Sequence, residues 1–254
     1  MNAISVARWT GLRVASNRKR RSGLTRVECL VGLVVLALLI VLILPATQNV
    51  PRTPNRSACK NNLKQIALAL HNYHDTYKSF PPAYTVDADG KPLHSWRTLL
   101  LPFADQRALY DKIDLSKPWD DPANAEAFKT CPSAYRCPSA MGQSHQTTYL
   151  AIAGPESCLS TTHPRTFSEI TDGTMNTLMV VEVPVANAVP WMAPQDADAQ
   201  LLLSLGKETH WPHPGGIHGV MADGRVQLFL SAQIAPATWK GLCTVAGHET
   251  LGEF

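Results

Sequence analysis

The sequence predicts an α+β fold: an N-terminal transmembrane helix, then an amphipathic helix packed on a mostly antiparallel β-sheet head. Three observations predict it. Cys29 to Leu44 are 16 consecutive uncharged residues, all apolar apart from Gly32. Residues 57–78 carry apolar side chains at helical spacing. Beyond residue 80, short apolar runs alternate with turn sequences, as in a small sheet.

The elements follow in chain order. Residues 1–23 hold Arg8, Arg13, Arg18, Lys19, Arg20 and Arg21 and no acid, so they carry +6. The whole chain of 254 residues carries only +3, which leaves −3 for the remainder. A basic leader thus precedes a mildly acidic body. The apolar run would be about 24 Å long as a helix. Val27 on one side and Pro45-Ala46 on the other bring it close to the ~30 Å of a bilayer core. Core helices are seldom apolar on every face, and the sequence after the run offers only a poor signal-peptidase site. The basic flank places residues 1–23 in the cytoplasm and the chain beyond residue 46 outside it.

Residues 47–56 are polar, with Pro51 and Pro54, and read as a linker. From Ser57, Leu63, Ile66, Ala67, Leu70, Tyr73 and Tyr77 form one helical face, and Phe80-Pro81-Pro82 ends it. The head, 57–254, continues with a hairpin about Asp87-Ala88-Asp89-Gly90 and a short helical region over 96–104. Residues 114–146 read as an extended loop. Strands are expected over 147–153 and 178–185, with a turn at 170–174 between them. A last hairpin closes on Asp223-Gly224.

Composition excludes some classes. Hydrophobic residues at 45% support a packed core, and six cysteines are too few for a disulfide scaffold. A body of net charge −3 gives no footing for nucleic acid as a partner.

Glu28 lies at the mouth of the apolar run, the fifth residue when Leu24 is the first. A carboxylate at the end of a membrane helix is costly and is usually functional. Gly23, Leu24, Thr25, Glu28 and the apolar run to Pro45 resemble the class III signal of type IV prepilins and type II secretion pseudopilins. Leu24 stands where such signals usually carry Phe, and Arg26 where they carry an apolar residue. The resemblance implies cleavage by a prepilin peptidase between Gly23 and Leu24, and N-methylation of Leu24. It implies that 24–46 remains as a single-pass anchor in the cytoplasmic membrane, N-terminus inside and head periplasmic. Glu28 would then set register by pairing with the Leu24 amino group of a neighbouring pilin or pseudopilin subunit.

Further segments are similar to one prepilin-signal family with a domain of unknown function, DUF1559. They include Cys59-Lys60-Asn61-Asn62-Leu63, His71-Asn72-Tyr73-His74, Phe80-Pro81-Pro82, His94-Ser95-Trp96-Arg97 and Cys137-Pro138-Ser139. They continue with Thr171-Asp172-Gly173-Thr174, Glu182, Pro190-Trp191, His213-Pro214-Gly215-Gly216 and Ala222-Asp223-Gly224. The resemblance implies a pilin-like head without an established activity.

The residues that could carry chemistry each have a plainer structural explanation. His71 and His74 lie three apart on one helix, a metal-compatible spacing, but His74 falls on the apolar stripe. His210, His213 and His218 precede the last hairpin, and His213, Asp223 and Glu182 could be imagined as a hydrolase or metal site. The chain lacks both Gly-x-Ser-x-Gly and His-Glu-x-x-His, so architecture is favoured over catalysis. No cofactor and no metal is expected, and the protein is not expected to be an enzyme. Asp172 and Trp191 stand in the head motifs without an assigned role. Outside the cytoplasm, Cys59, Cys131, Cys137, Cys158 and Cys243 are disulfide candidates. Five is odd, and two bridges among five cysteines allow 15 pairings.

Two functions compete. One is a pseudopilin-like or pilin-like structural subunit of a type II secretion or type IV pilus-like system. The alternative is a membrane-tethered module binding a solute, glycan or protein, with Trp96, Trp119, Trp191 and Trp211 lining a site.

Overall fold

A computed structural model describes residues 26–48, 53–140, 142–161, 163–205, 211, 213, 216–230, 234–249 and 251–252. The basic leader, the Gly23–Leu24 bond, residues 49–52 of the linker, His210 and Pro214-Gly215 lie outside them. The chain forms two compact units, 1–50 and 51–254.

In the first unit, Arg26–Gln48 form one α-helix, α1, of 23 residues. Its described side chains, at 26–27 and 29–39, are all exposed. Val27, Leu30, Leu33, Leu36, Leu38 and Leu39 are each at least half exposed, and together they lie on all sides of the helix. Among the described residues, no helix is long and apolar enough to cross a membrane. The Glu28 side chain and those beyond Leu39 are not among those described.

The second unit begins with α2, Thr53–Tyr77. It starts four residues before the expected point. Pro54 falls in the first turn, where a missing N–H removes no helical hydrogen bond, so it begins the helix instead of delaying it. Leu63, Ile66, Ala67 and Leu70 form the buried stripe, with Cys59 one turn earlier. The hairpin that follows pairs β1 (Tyr84–Val86) with β2 (Pro92–Ser95). Gly90 supplies the positive φ that its turn requires. Ser95 then caps α3 (Trp96–Leu99), its hydroxyl accepting from the Arg97 N–H.

The stretch expected as an extended loop is built of tight turns. It follows α4 (Arg107–Tyr110) and contains α5 (Ala125–Phe128) and 3₁₀ turns at Pro122–Asn124 and Ser133–Tyr135. Asn124 holds it, accepting from the Asp114 N–H and donating to the carbonyls of Asp114 and Pro118. Buried Tyr135 anchors its far end by donating to the Arg97 carbonyl at 2.8 Å.

The central sheet has four antiparallel strands in the order β4-β5-β7-β8: Tyr149–Ala151, Leu178–Glu182, Ile217–Met221 and Val226–Phe229. A side ribbon pairs β3 (Gln146–Thr147) with β6 (Val189–Pro190). All residues of β4, β5 and β7 are buried. Both faces are therefore covered, which is why β5 reads as a continuous apolar run and not as an alternation. On one face α2 packs over β7 and β8, with Tyr149, Ala151, Val180 and Val220 beneath it. On the other face Leu150, Val181, Ile217, Met221 and Phe229 meet the C-terminal helices α6 (Ala199–Ser204) and α7 (Pro236–Leu242). Gly219 is required there: a Cβ would come within 2.7 Å of both Leu178 Cδ1 and Phe229 Cε2.

Candidate functional site

Arg97 organises the head near the α3 N-terminus. Its side chain is fully buried, and every guanidinium nitrogen donates. Nε donates to the Trp191 carbonyl at 2.8 Å, and Nη2 to those of Ala193 and Gln195 at 2.9 and 2.8 Å. Nη1 donates to the Tyr149 carbonyl at 3.2 Å and to Asp196 Oδ1 at 2.7 Å. The same Asp196 oxygen accepts from Trp96 Nε1 and the Ala151 N–H. Burial pushes the Asp196 carboxyl up against the pull of the Arg97 charge. One planar cation thus ties β4 to the 191–197 segment. Trp191 is itself buried, donating from Nε1 to the Phe128 carbonyl at 2.9 Å and stacking on Tyr135.

The second buried polar group lies between α2 and the sheet. Tyr149 on β4 and Glu182 on β5 are register partners. Glu182 is fully buried, and its Oε2 accepts from His213 Nε2 at 3.1 Å and His218 Nδ1 at 3.3 Å. Its Oε1 has no hydrogen-bond partner. Burial drives the Glu182 carboxyl upward, and the two histidines more than reverse this, leaving it below the ordinary value. The two imidazoles meet edge to face at 4.9 Å.

Above them sits the bridge between Cys59 on α2 and Cys137, which spans 78 positions of sequence. Cys137 Sγ is 3.9 Å from His213 Nε2. One ligand atom from each of Cys59, Cys137, Glu182 and His213 lies within 4.8 Å of the others, and all four residues are buried. A cavity of about 400 Å³, lined in part by Asn62, Ser133, Arg136 and Thr148, reaches Cys137.

The expected residues distribute as follows. Glu182 and His213 come together, and His218, not Asp223, completes the group. Asp223 is exposed in the β7–β8 turn and accepts from the Arg225 N–H. Gly224 takes the positive φ beside it. A Cβ at Gly216 would run into the Phe229 carbonyl oxygen, so this glycine lets β8 approach the chain just before β7. Asp172 fastens the C-terminal segment by accepting from the N–H groups of Gly247 and His248.

His71 and His74 pack against Phe80 and Phe167 instead of converging on a ligand set. Burial lowers the His74 pKa. Of the disulfide candidates, Cys59 and Cys137 pair, while Cys131, Cys158 and Cys243 are free thiols. Burial pushes each of these three up to about 12, so they stay protonated and unreactive. Trp96 and Trp191, which the alternative function would need to line a site, are fully buried.

Residues 55–163 match a family described as a protein of unknown function (DUF1559). No curated protein and no solved structure matches the chain. The DUF1559 match runs from the start of α2 past β4. It contains Cys59, His71, His74, Arg97 and Cys137. Glu182 on β5, His218 on β7 and His213 just before β7 lie beyond it.

From the sequence, Arg97 stood only as a motif residue, and Glu182 as a motif residue that could be imagined in a site with His213 and Asp223. A signal existed for Glu182, a lone carboxylate in the apolar run LMVVEVPV. A strand buried on both faces must partner such a group. We expect Glu182→Gln to lower stability by about 2–3 kcal/mol at pH 7. The depressed carboxyl stabilises the fold above the ordinary glutamate value of 4.5. That contribution is lost as pH falls through the lower folded value, so the gap between variant and parent closes in acid. Urea unfolding at a series of pH values measures it. A gap that widens in acid contradicts this account.

Proposed function

We propose that this chain is a pilin-like or pseudopilin-like structural subunit, anchored in the cytoplasmic membrane through residues 24–46 with its head outside the cytoplasm. The observation that carries the reading is α1. It follows a +6 leader ending in Gly23, and its described apolar side chains are exposed on all sides. A helix of that kind needs an apolar surrounding, which a bilayer or a bundle of like helices supplies. Prepilin peptidase cleaves after Gly23, Leu24 is N-methylated, and Glu28 pairs with the amino terminus of a neighbouring subunit.

The role is architectural, not catalytic. Arg97 bonds to groups within the head through every guanidinium nitrogen, and Asp223 does not join Glu182 and His213. The alternative of a tethered module with an aromatic binding site loses its residues. Trp96 and Trp191 are core, Trp119 packs on Phe128, and the described lining of the 400 Å³ cavity contains no aromatic ring.

Co-expression of the full-length chain with a prepilin peptidase tests the reading. Intact mass should show loss of residues 1–23 and a methylated Leu24. A retained leader, or cleavage beyond residue 46, overturns it.

A further inference from the structure

We propose that the Cys59–Cys137 position is a redox-gated metal site: reduced, these two sulfurs with His213 and Glu182 form a four-coordinate zinc centre. The first support is the donor set. Two thiolates, one imidazole and one carboxylate are ligands that zinc takes in closed tetrahedral sites. The second is geometry. The four ligand atoms already lie within 4.8 Å of one another. Zinc–ligand bonds of about 2.0–2.3 Å place tetrahedral ligand atoms about 3.4–3.8 Å apart. His213 Nε2 is 3.1 Å from Glu182 Oε2 and 3.9 Å from Cys137 Sγ, so these three need only small shifts. The sulfurs must part from bonding distance to about 3.8 Å.

The third support is an unspent acceptor. Glu182 Oε1 is buried with no partner, a costly state that a ligand or proton would relieve. His218 remains on Oε2 and steadies the carboxylate, as outer-shell partners of metal ligands do. The cavity at Cys137 gives reductant and ion a route in.

The chemistry balances through thiol–disulfide exchange. A dithiol reductant passes two electrons and two protons to the bridge, becoming a cyclic disulfide and leaving two Cys thiols. Zinc then displaces the two thiol protons to solvent, and His213 gives up its Nε2 proton and takes one from solvent at Nδ1, freeing Nε2 for the ion. In either state α2 stays stapled to Cys137, by a covalent bond when oxidised and through the ion when reduced.

The test uses the purified full-length chain in detergent, titrated with Co²⁺ and Zn²⁺ after reduction or oxidation. Reduced protein should bind one Co²⁺ per chain with thiolate-to-cobalt charge-transfer absorption, and Zn²⁺ should displace it. Oxidised protein should bind neither. Glu182→Gln and His213→Ala should each weaken binding by the reduced chain at least about 10-fold. Circular dichroism follows folding throughout. Reduction with chelator present should loosen the head, and Zn²⁺ should restore it. The proposal is overturned if reduced protein binds no cobalt, binds it without the charge-transfer band, or binds no better than oxidised protein. Unfolding on reduction that zinc does not reverse also overturns it.

Discussion

Replacing Arg97 should be the most damaging single substitution in the head. Arg97→Ala is expected to cost about 3–5 kcal/mol, because it leaves Asp196 buried without its counter-charge. It also strips donors from the carbonyls of Trp191, Tyr149, Ala193 and Gln195. Arg97→Lys should rescue little. An ammonium is a compact charge with three donors and cannot span a carboxylate and four carbonyls as the planar fork does. Asp196→Asn should be milder, since an amide oxygen can still accept from Arg97, Trp96 and Ala151. Urea midpoints of the full-length variants give the order. A loss below about 1 kcal/mol for Arg97→Ala would refute the assignment of this residue as the tie between β4 and the 191–197 segment.

Removing the Cys59–Cys137 bridge comes next. It closes a loop across 78 positions, for which chain entropy alone gives about 4.5 kcal/mol. Cys59→Ser, Cys137→Ser and the double variant should lose nearly equal amounts when measured with chelator present. Each breaks the same bond, so the double-variant loss stays far below the sum of the singles. Additive losses would mean that the two sulfurs act separately. Cys158→Ser and Cys243→Ser should differ from both, since those thiols have no bridge to lose.

The sequence reading succeeded where local physics is sufficient. The α2 stripe is a matter of spacing, and Leu63, Ile66 and Leu70 are buried as that spacing requires. The Gly-containing turns at Gly90, Gly173 and Gly224 follow from backbone sterics and take positive φ. The reading failed where the outcome depends on distant chain. The stretch over 114–146 lacks a hydrophobic period, so nothing local announces its 3₁₀ turns. They are held by Asn124 and by Tyr135 reaching back to Arg97. Trp96 and Trp191 could be core or site lining from spacing alone, and each indole N–H finds an acceptor that lies far away in sequence.

The candidate site divides in the same way. His213, Glu182, Cys59 and Cys137 were all legible as unusual residues, and Glu182 could be imagined beside His213, but nothing local joined either of them to the two cysteines. Fifteen disulfide pairings were open from the cysteine count. One pairing emerges because α2 lies on the β4 and β5 face where Cys137 closes. Asp223 looked like the partner of His213 by proximity along the chain, but strand pleating turns His218 toward Glu182 and leaves Asp223 in a solvent-exposed turn.

By itself, then, the sequence determined the charge split at residue 23, the apolar helix α1, the α2 stripe, the strands and their Gly turns. Each depends on residues within a few positions of one another, where spacing and backbone sterics decide. Only the tertiary structure decided that one arginine ties the head together, and that two cysteines, a glutamate and two histidines share a buried site. Those outcomes rest on partners 31 to 99 positions apart. Burial makes an unpaired charge too costly to leave alone, and the fold selects which partner is within reach.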